Sequence, residues 1–362
     1  MNIMVKKKVI GLIYHPDFLL HNQNYHPEKK ERLEAIINLL HHEKLLTKLQ
    51  LITPKVAKVK EVRTIHTANY IKSLRNMVKQ GKAYLDADTY LTPYSYQVAL
   101  LSVGGAITAM RMVMKETLKV AYVINRPPGH HASANRGMGF CLFNNGAIAA
   151  KLALTEFNIK RLLYIDWDVH HGNGIQQAFY HDPRVLYISL HENPAFPGTG
   201  SIEETGAGLG KGYNINIPLP PRCGDKEYQK AFTNIIMPAA DIYRPELIMV
   251  SAGYDIYHQD PLGHMQVTYH GLATMTSFVK KIANQHCQGK IVLFLEGGYH
   301  LQGQAEAVTT TLSVLGNWRR PIKEEIIISS SSIKSEASQI INRIRRQSLP
   351  LLLKASDTIY RN

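Results

Sequence analysis

Residues 161–174 read RLLYIDWDVHHGNG, and this stretch decides the fold. Its first half is a short apolar run, and it ends in two aspartates, two histidines and a glycine-bearing turn. A strand that is apolar on both faces belongs in a parallel sheet covered by helices on each side. The pattern repeats outward. VAYVIN (120–125), RVLYISL (184–190), LIMVSAG (247–253) and KIVLFLEGG (290–298) read as further strands, and a first strand lies at about 8–14. Helical stretches fall near 28–46, 95–118, 144–157, 225–243, 268–285 and 335–347; Leu33, Ile36, Ile37 and Leu40 show the 3-and-4 spacing of a core-facing helix. Gly104 and Gly105 predict close packing in the second of these. Strands alternating with helices define an α/β domain.

The chain has 362 residues, 45% of them hydrophobic, enough for a large core and incompatible with disorder or collagen-like repeats. No uninterrupted apolar run approaches the ~18 residues of a membrane span, so no membrane partner is expected. The start, MNIMVKKKVIGLIYHPDF, lacks a small-residue cleavage site and reads as a strand rather than a signal peptide. Cys141, Cys223 and Cys287 are odd in number and widely spaced, which favours a reducing compartment; the expected location is the cytoplasm. The formal net charge is +14, with the surplus in residues 1–80 (+9) and 316–362 (+5) and none between. Such ends are read first as solvated helix faces, with nonspecific association with nucleic acid or chromatin as the alternative. Residues 1–347 read as one domain. The four serines at 329–332 read as a surface loop and 348–362 as a loose tail.

Ligands in open parallel sheets sit outside the carboxyl ends of the strands. Four predicted strands end there in reactive residues: His130 and His131; Asp166, Asp168 and His170; Asp255; and Tyr299. Strand alternation places Asp166, Asp168 and His170 on one side, with Trp167 and Val169 on the other. Unpaired buried charge costs several kcal/mol, so this set calls for a cation, a structural ion pair being the competing reading. Asp168, His170 and Asp255 offer an O/N/O set, and three protein ligands with an open position is the catalytic zinc pattern. A histidine beside such a site can take a proton from an activated water and return it to a leaving group.

RPPGHHASANRGMGFCLFNN, YIDWDVHHGNG, SLHENPAFPGTG, SAGYD, DPLGHM and LEGGY together resemble the histone deacetylase family, its class II-like and bacterial members in particular, from about residue 10 to 347. The resemblance implies the arginase/deacetylase fold, a three-layer α/β/α sandwich around an eight-stranded, largely parallel sheet. It implies zinc on Asp168, His170 and Asp255, with Asp166 behind His130, His131 as general base and acid, and Tyr299 donating to the oxyanion. Gly139, Phe140, Phe196, Leu262, Gly297 and Gly298 would form the acyl-lysine tunnel. An inner structural K+ is implied at Asp166, Asp168, His170, Ser189 and Leu190, and an outer one at Phe179, Asp182, Val185 and Tyr213. The implied substrate is an acetylated protein or peptide, histones included.

Asn173 stands where many class I members carry an acid, and class II-like members share this asparagine; an amide stabilises an imidazolium less than a carboxylate does. Leu262 stands where the polyamine-selective branch has glutamate, which favours acetyl-lysine over acetylpolyamine. A two-manganese ureohydrolase shares the implied fold, but Asp255 is followed by Ile256 and Tyr257 rather than by a further acid. A basic module that binds acyl-lysine without turnover is the non-enzymatic alternative. GAGLGKG (206–212) reads as a loop, and Cys141 as a buried thiol.

Overall fold

The computed structural model describes residues 10–360, apart from the side chains of 359 and 360. Eight strands form one sheet: β1 (Ile10–Ile13), β2 (Gln50–Ile52), β3 (Val120–Val123), β4 (Leu162–Asp166), β5 (Val185–Glu192), β6 (Asn214–Leu219), β7 (Leu247–Ala252) and β8 (Ile291–Leu295). Their order is β2-β1-β3-β8-β7-β4-β5-β6, and every pairing is parallel. The sheet of the implied fold is present, with no antiparallel member among the described residues.

The helices are α1 (Glu31–His42), α2 (Val59–Val62), α3 (Ala68–Lys79), α4 (Ser95–Met114), α5 (Asn145–Glu156), α6 (Asn173–Phe179), α7 (Asp225–Ala231), α8 (Met237–Tyr243), α9 (Tyr269–His286), α10 (Leu301–Gly316) and α11 (Ser331–Tyr360). Two apolar cores flank the sheet. Leu12, Tyr122, Leu163 and Ile165 point into one, under α1 and α7–α11; Ile13, Val123, Leu162 and Tyr164 point into the other, under α2–α6. Successive side chains of each strand thus enter opposite layers, as the two-sided apolar runs require.

Four expectations change. β2 and β6 were not read from periodicity: QLI is too short, and NINIPL carries two asparagines and a proline. The helices α2, α3, α6 and α10 were likewise not expected. α4 is long and apolar enough to cross a membrane by composition, contrary to the sequence expectation, yet 72% of its apolar window is buried, against β3 and α5. The closing helix does not end near 347. α11 runs to Tyr360 through Pro350, with Leu352 fully buried, so the expected loose tail is helical over its described part.

Gly104 earns its place: a Cβ there would lie 1.8 Å from the Lys55 carbonyl oxygen. Arg32 and Arg126 are fully buried on Glu28, Arg320 pairs with Glu306, and Arg343 pairs with Glu203 at the surface.

Candidate active site

The strands with reactive ends, β3, β8, β7 and β4, are consecutive neighbours in the sheet, so their carboxyl ends open on one depression. β4 stops at Asp166, two residues earlier than expected, and the alternation inferred through His170 does not extend past it. A loop takes over. It is tied to both neighbouring strands by Trp167 N–H donating to Ser251 O (3.2 Å) and Glu192 N–H donating to Val169 O (2.8 Å).

This loop and the turn after β7 aim three donors inward. His170 Nδ1 lies 3.1 Å from Asp168 Oδ1 and 3.2 Å from Asp255 Oδ2. One ligand atom from each of the three falls within 4.8 Å of the others. Backbone amides fix the carboxylates: Val169 N–H donates to Asp255 Oδ1 (2.9 Å), and Gly297 N–H to Asp168 Oδ2 (2.7 Å). That leaves Asp255 Oδ2 buried with no hydrogen bond. Its polar neighbour is the His170 nitrogen at 3.2 Å; a buried carboxylate oxygen without a hydrogen bond is costly, and a cation between the three donors offsets that cost. Carboxylate and imidazole are ligand types zinc takes. Burial works against charge on His170, but Asp168 and Asp255 hold its pKa up at about 10; a divalent cation competes with that proton. Burial and Asp168 push Asp255 up to about 7, against the pull of His170.

The tandem histidines are set apart electrostatically. His130 Nδ1 meets Asp166 Oδ2 at 3.2 Å, and His131 Nδ1 meets the Asn173 amide oxygen at 2.8 Å. Their rings lie 3.9 Å apart. Burial disfavours charge on His130, yet Asp168 and Asp166 raise it to about 10. Burial lowers His131 well below the ordinary imidazole range, and positive His130 lowers it further. One ring is held charged and the other neutral, the divergence that separates an electrostatic role from a base.

Tyr299 follows a turn that only glycine allows. A Cβ on Gly297 would meet Asp255 Oδ2 at 2.0 Å, and Gly298 has φ +118°. The Tyr299 ring packs edge-on to Phe140 (5.8 Å) with the Arg32 guanidinium 4.8 Å from its centroid. Burial raises its phenol well above 10, so it stays protonated and able to donate.

A cavity of about 220 Å³ leads to these groups, lined in part by Gly139, Phe140, Phe196, Leu262, Gly297 and Tyr299. Phe196 stands edge-on to His131 at 5.1 Å. Gly298, expected in the tunnel wall, is not among the lining residues; its place is behind the turn, against Tyr254 and Gln304. Sequence reasoning missed Asp88 on the wall, and the supports Arg32, Glu296 and Asp260. Glu296 Oε2 accepts from the backbone N–H of Gly129 (2.7 Å) and His130 (3.2 Å). Its signal was available: an acid directly after an apolar strand, as at the other strand ends.

A model of the histone deacetylase domain matches residues 26–315. The chain belongs to the histone deacetylase family. A probable deacetylase of Archaeoglobus fulgidus is 40% identical over 298 residues, spanning 82% of each chain. A histone deacetylase-like amidohydrolase of Pseudomonas aeruginosa is 38% identical, over 75% of this chain and 71% of its own. The crystal structure of the HDA15 HD domain superposes with a TM-score of 0.87 at 31% identity, covering 98% of this chain and 99% of that one. Membership in this family supports an enzyme, a deacetylase-type amidohydrolase, over a module that only binds.

In this histone deacetylase fold, Asp166 and Ser189 are register partners on β4 and β5, the place expected for an inner cation. At the outer place the carbonyls of Phe179, Asp182 and Tyr213 accept one backbone N–H each and keep a second lone pair. The Asp182 carboxylate is already held by Arg184 (2.8 Å) and Lys151 (3.7 Å).

Proposed function

We propose that the protein hydrolyses the acetyl amide of N-acetyl-lysine in proteins or peptides, with one zinc ion held by Asp168, His170 and Asp255. The observation that carries this reading is the convergence of Asp168, His170 and Asp255, whose buried Oδ2 makes no hydrogen bond and lies 3.2 Å from the His170 nitrogen, at the floor of an aromatic-walled cavity. Bound there, zinc supplies Lewis acidity toward the acyl carbonyl and acidifies water. The chain's own groups do the rest. Phe140 and Phe196 flank the aliphatic stem of the substrate and exclude water from it. His131, kept neutral, takes the proton of the attacking water at Nε2, while Nδ1 is oriented by Asn173. The resulting imidazolium then protonates the departing amine. His130, paired with Asp166, supplies orientation and positive charge against the negative charge that develops beside it. The Tyr299 phenol donates to the oxygen that becomes anionic in the transition state.

Structural K+ at the two places named above is part of the same proposal, supported there by oxygen donors of the kind such ions take. Leu262, apolar at the mouth, favours an acyl-lysine. Asp88 on the same wall supports a second reading, an N-acetylpolyamine whose cationic chain it would attract. A side-by-side assay of acetyl-lysine peptides and N-acetylpolyamines, with and without a zinc chelator, tests both. Faster peptide turnover that chelation abolishes and zinc restores is expected. Chelator-insensitive turnover, or a clear preference for polyamines, overturns the first reading.

A further inference from the structure

Tyr299 acts only if its phenol is aimed correctly, yet it follows two glycines, the most flexible pair the chain can offer. Something must hold the turn. The structure supplies it from a different loop. Asp260, five residues beyond Asp255, accepts at one carboxylate oxygen, Oδ2, both the Tyr299 N–H (2.6 Å) and the His300 N–H (3.0 Å). Its other oxygen accepts the Leu262 N–H at 3.0 Å. Asp260 is buried, and its own N–H donates to Tyr257 O (2.8 Å), so the carboxylate is not free to swing away.

We propose that Asp260 is a positioning residue: a buried carboxylate that clamps the backbone of Tyr299 and, from the same side chain, fixes the loop carrying Leu262 at the cavity mouth. It touches neither the substrate stem nor the candidate metal ligands' donor atoms. Its effect passes through the Tyr299 main chain. Charge-assisted bonds from two successive amides are stronger than neutral ones, and their geometry fixes the peptide plane from which the phenol projects. The consequence is a link between the mouth and the oxyanion donor, made by one residue with an oxygen for each. The inference rests on the role proposed for Tyr299, and its test is built to separate the two.

Asp260→Asn keeps an acceptor for one side but sets an amide NH₂ where one of the backbone donors now points; Asp260→Ala removes both acceptors. With an acetyl-lysine peptide, kcat is expected to fall about tenfold in Asp260→Asn and about a hundredfold in Asp260→Ala, with KM nearly unchanged, since donor removal at an oxyanion acts on kcat. In a double-mutant cycle, adding either change to Tyr299→Phe should cost little more, because the group being positioned is already gone. Bound metal should stay at the wild-type level. Hydrogen exchange should quicken at the Tyr299 and His300 amides in both Asp260 variants, a readout independent of turnover. Additive losses in the cycle, unchanged exchange at those amides, or a rise in KM with kcat intact overturns the proposal. If Tyr299→Phe alone keeps full activity, the role of Tyr299 fails instead, while the exchange result still reports whether the clamp exists. Should Asp260→Ala not fold, the Asp260→Asn cycle carries the test by itself.

Discussion

At the scale of single residues, the site depends on pairs of like groups driven apart by their surroundings. His131→Ala and Tyr299→Phe are each expected to lower kcat by about 10²–10³ or more while leaving metal bound, checked by steady-state kinetics beside metal analysis. Retained turnover in either variant removes the role assigned to it. The pH profile probes His131 separately. Burial and positive His130 depress its pKa, so the neutral base persists as pH falls through the ordinary imidazole range. In Asn173→Asp a carboxylate 2.8 Å from Nδ1 favours the imidazolium and raises that pKa, so the acid limb of kcat/KM moves to higher pH. A limb that stays put, or moves down, contradicts the assignment. At the mouth, Leu262→Glu should shift the ratio of rates toward acetylated polyamines, read from competing substrates; an unchanged ratio counts against Leu262 as a specificity residue.

At the scale of elements, the link between the N-terminal part of the chain and the sheet is a buried ion cluster. Glu28, fully buried, holds Arg126 (2.7 Å) and Arg32 (3.1 Å), and Arg32 donates to Gly298 O at 2.7 Å. Burial resists the Glu28 charge, but Arg126 and Arg32 lower its pKa to about 2. A depressed carboxylate contributes stability above its unfolded value, near 4.5, and that contribution fades as pH falls toward 2. Glu28→Ala, which strands two buried guanidinium groups, should cost about 3–5 kcal/mol in urea unfolding at neutral pH, and the gap to wild type should narrow below pH 4.5. A loss under about 1 kcal/mol contradicts a structural role for the cluster.

The same elements show what the sequence made legible. Runs apolar on both sides announced β3, β4, β5, β7 and β8, because burial on two faces leaves no polar alternation to confuse the reading. The chemistry at their ends was visible because buried aspartates and histidines have few other reasons to follow such runs. β2 and β6 were hidden by shortness and by Asn214 and Asn216, whose amides bond to Gln176 and to the 201–204 loop. α11 was cut short because 348–362 was read as a loose terminal tail, although the buried Ile341, Ile344 and Leu352 carry the helix on through Pro350. Asp260 was missed because the amides it clamps, those of Tyr299 and His300, lie far along the chain, and no pattern of side chains reports them.

At the scale of the whole molecule, a sheet with every strand parallel gathers all its carboxyl ends on one edge, and the order β3-β8-β7-β4 turns four distant segments into neighbours. The two apolar layers hold that edge rigid, and the site inherits its precision from them. The central claim is that a single divalent cation sits among Asp168, His170 and Asp255. The most direct measurement is anomalous diffraction from crystals of the zinc-loaded protein at the zinc absorption edge. One peak within bonding distance of those three side chains is the predicted result; no peak there, or two ions sharing the site, would contradict it.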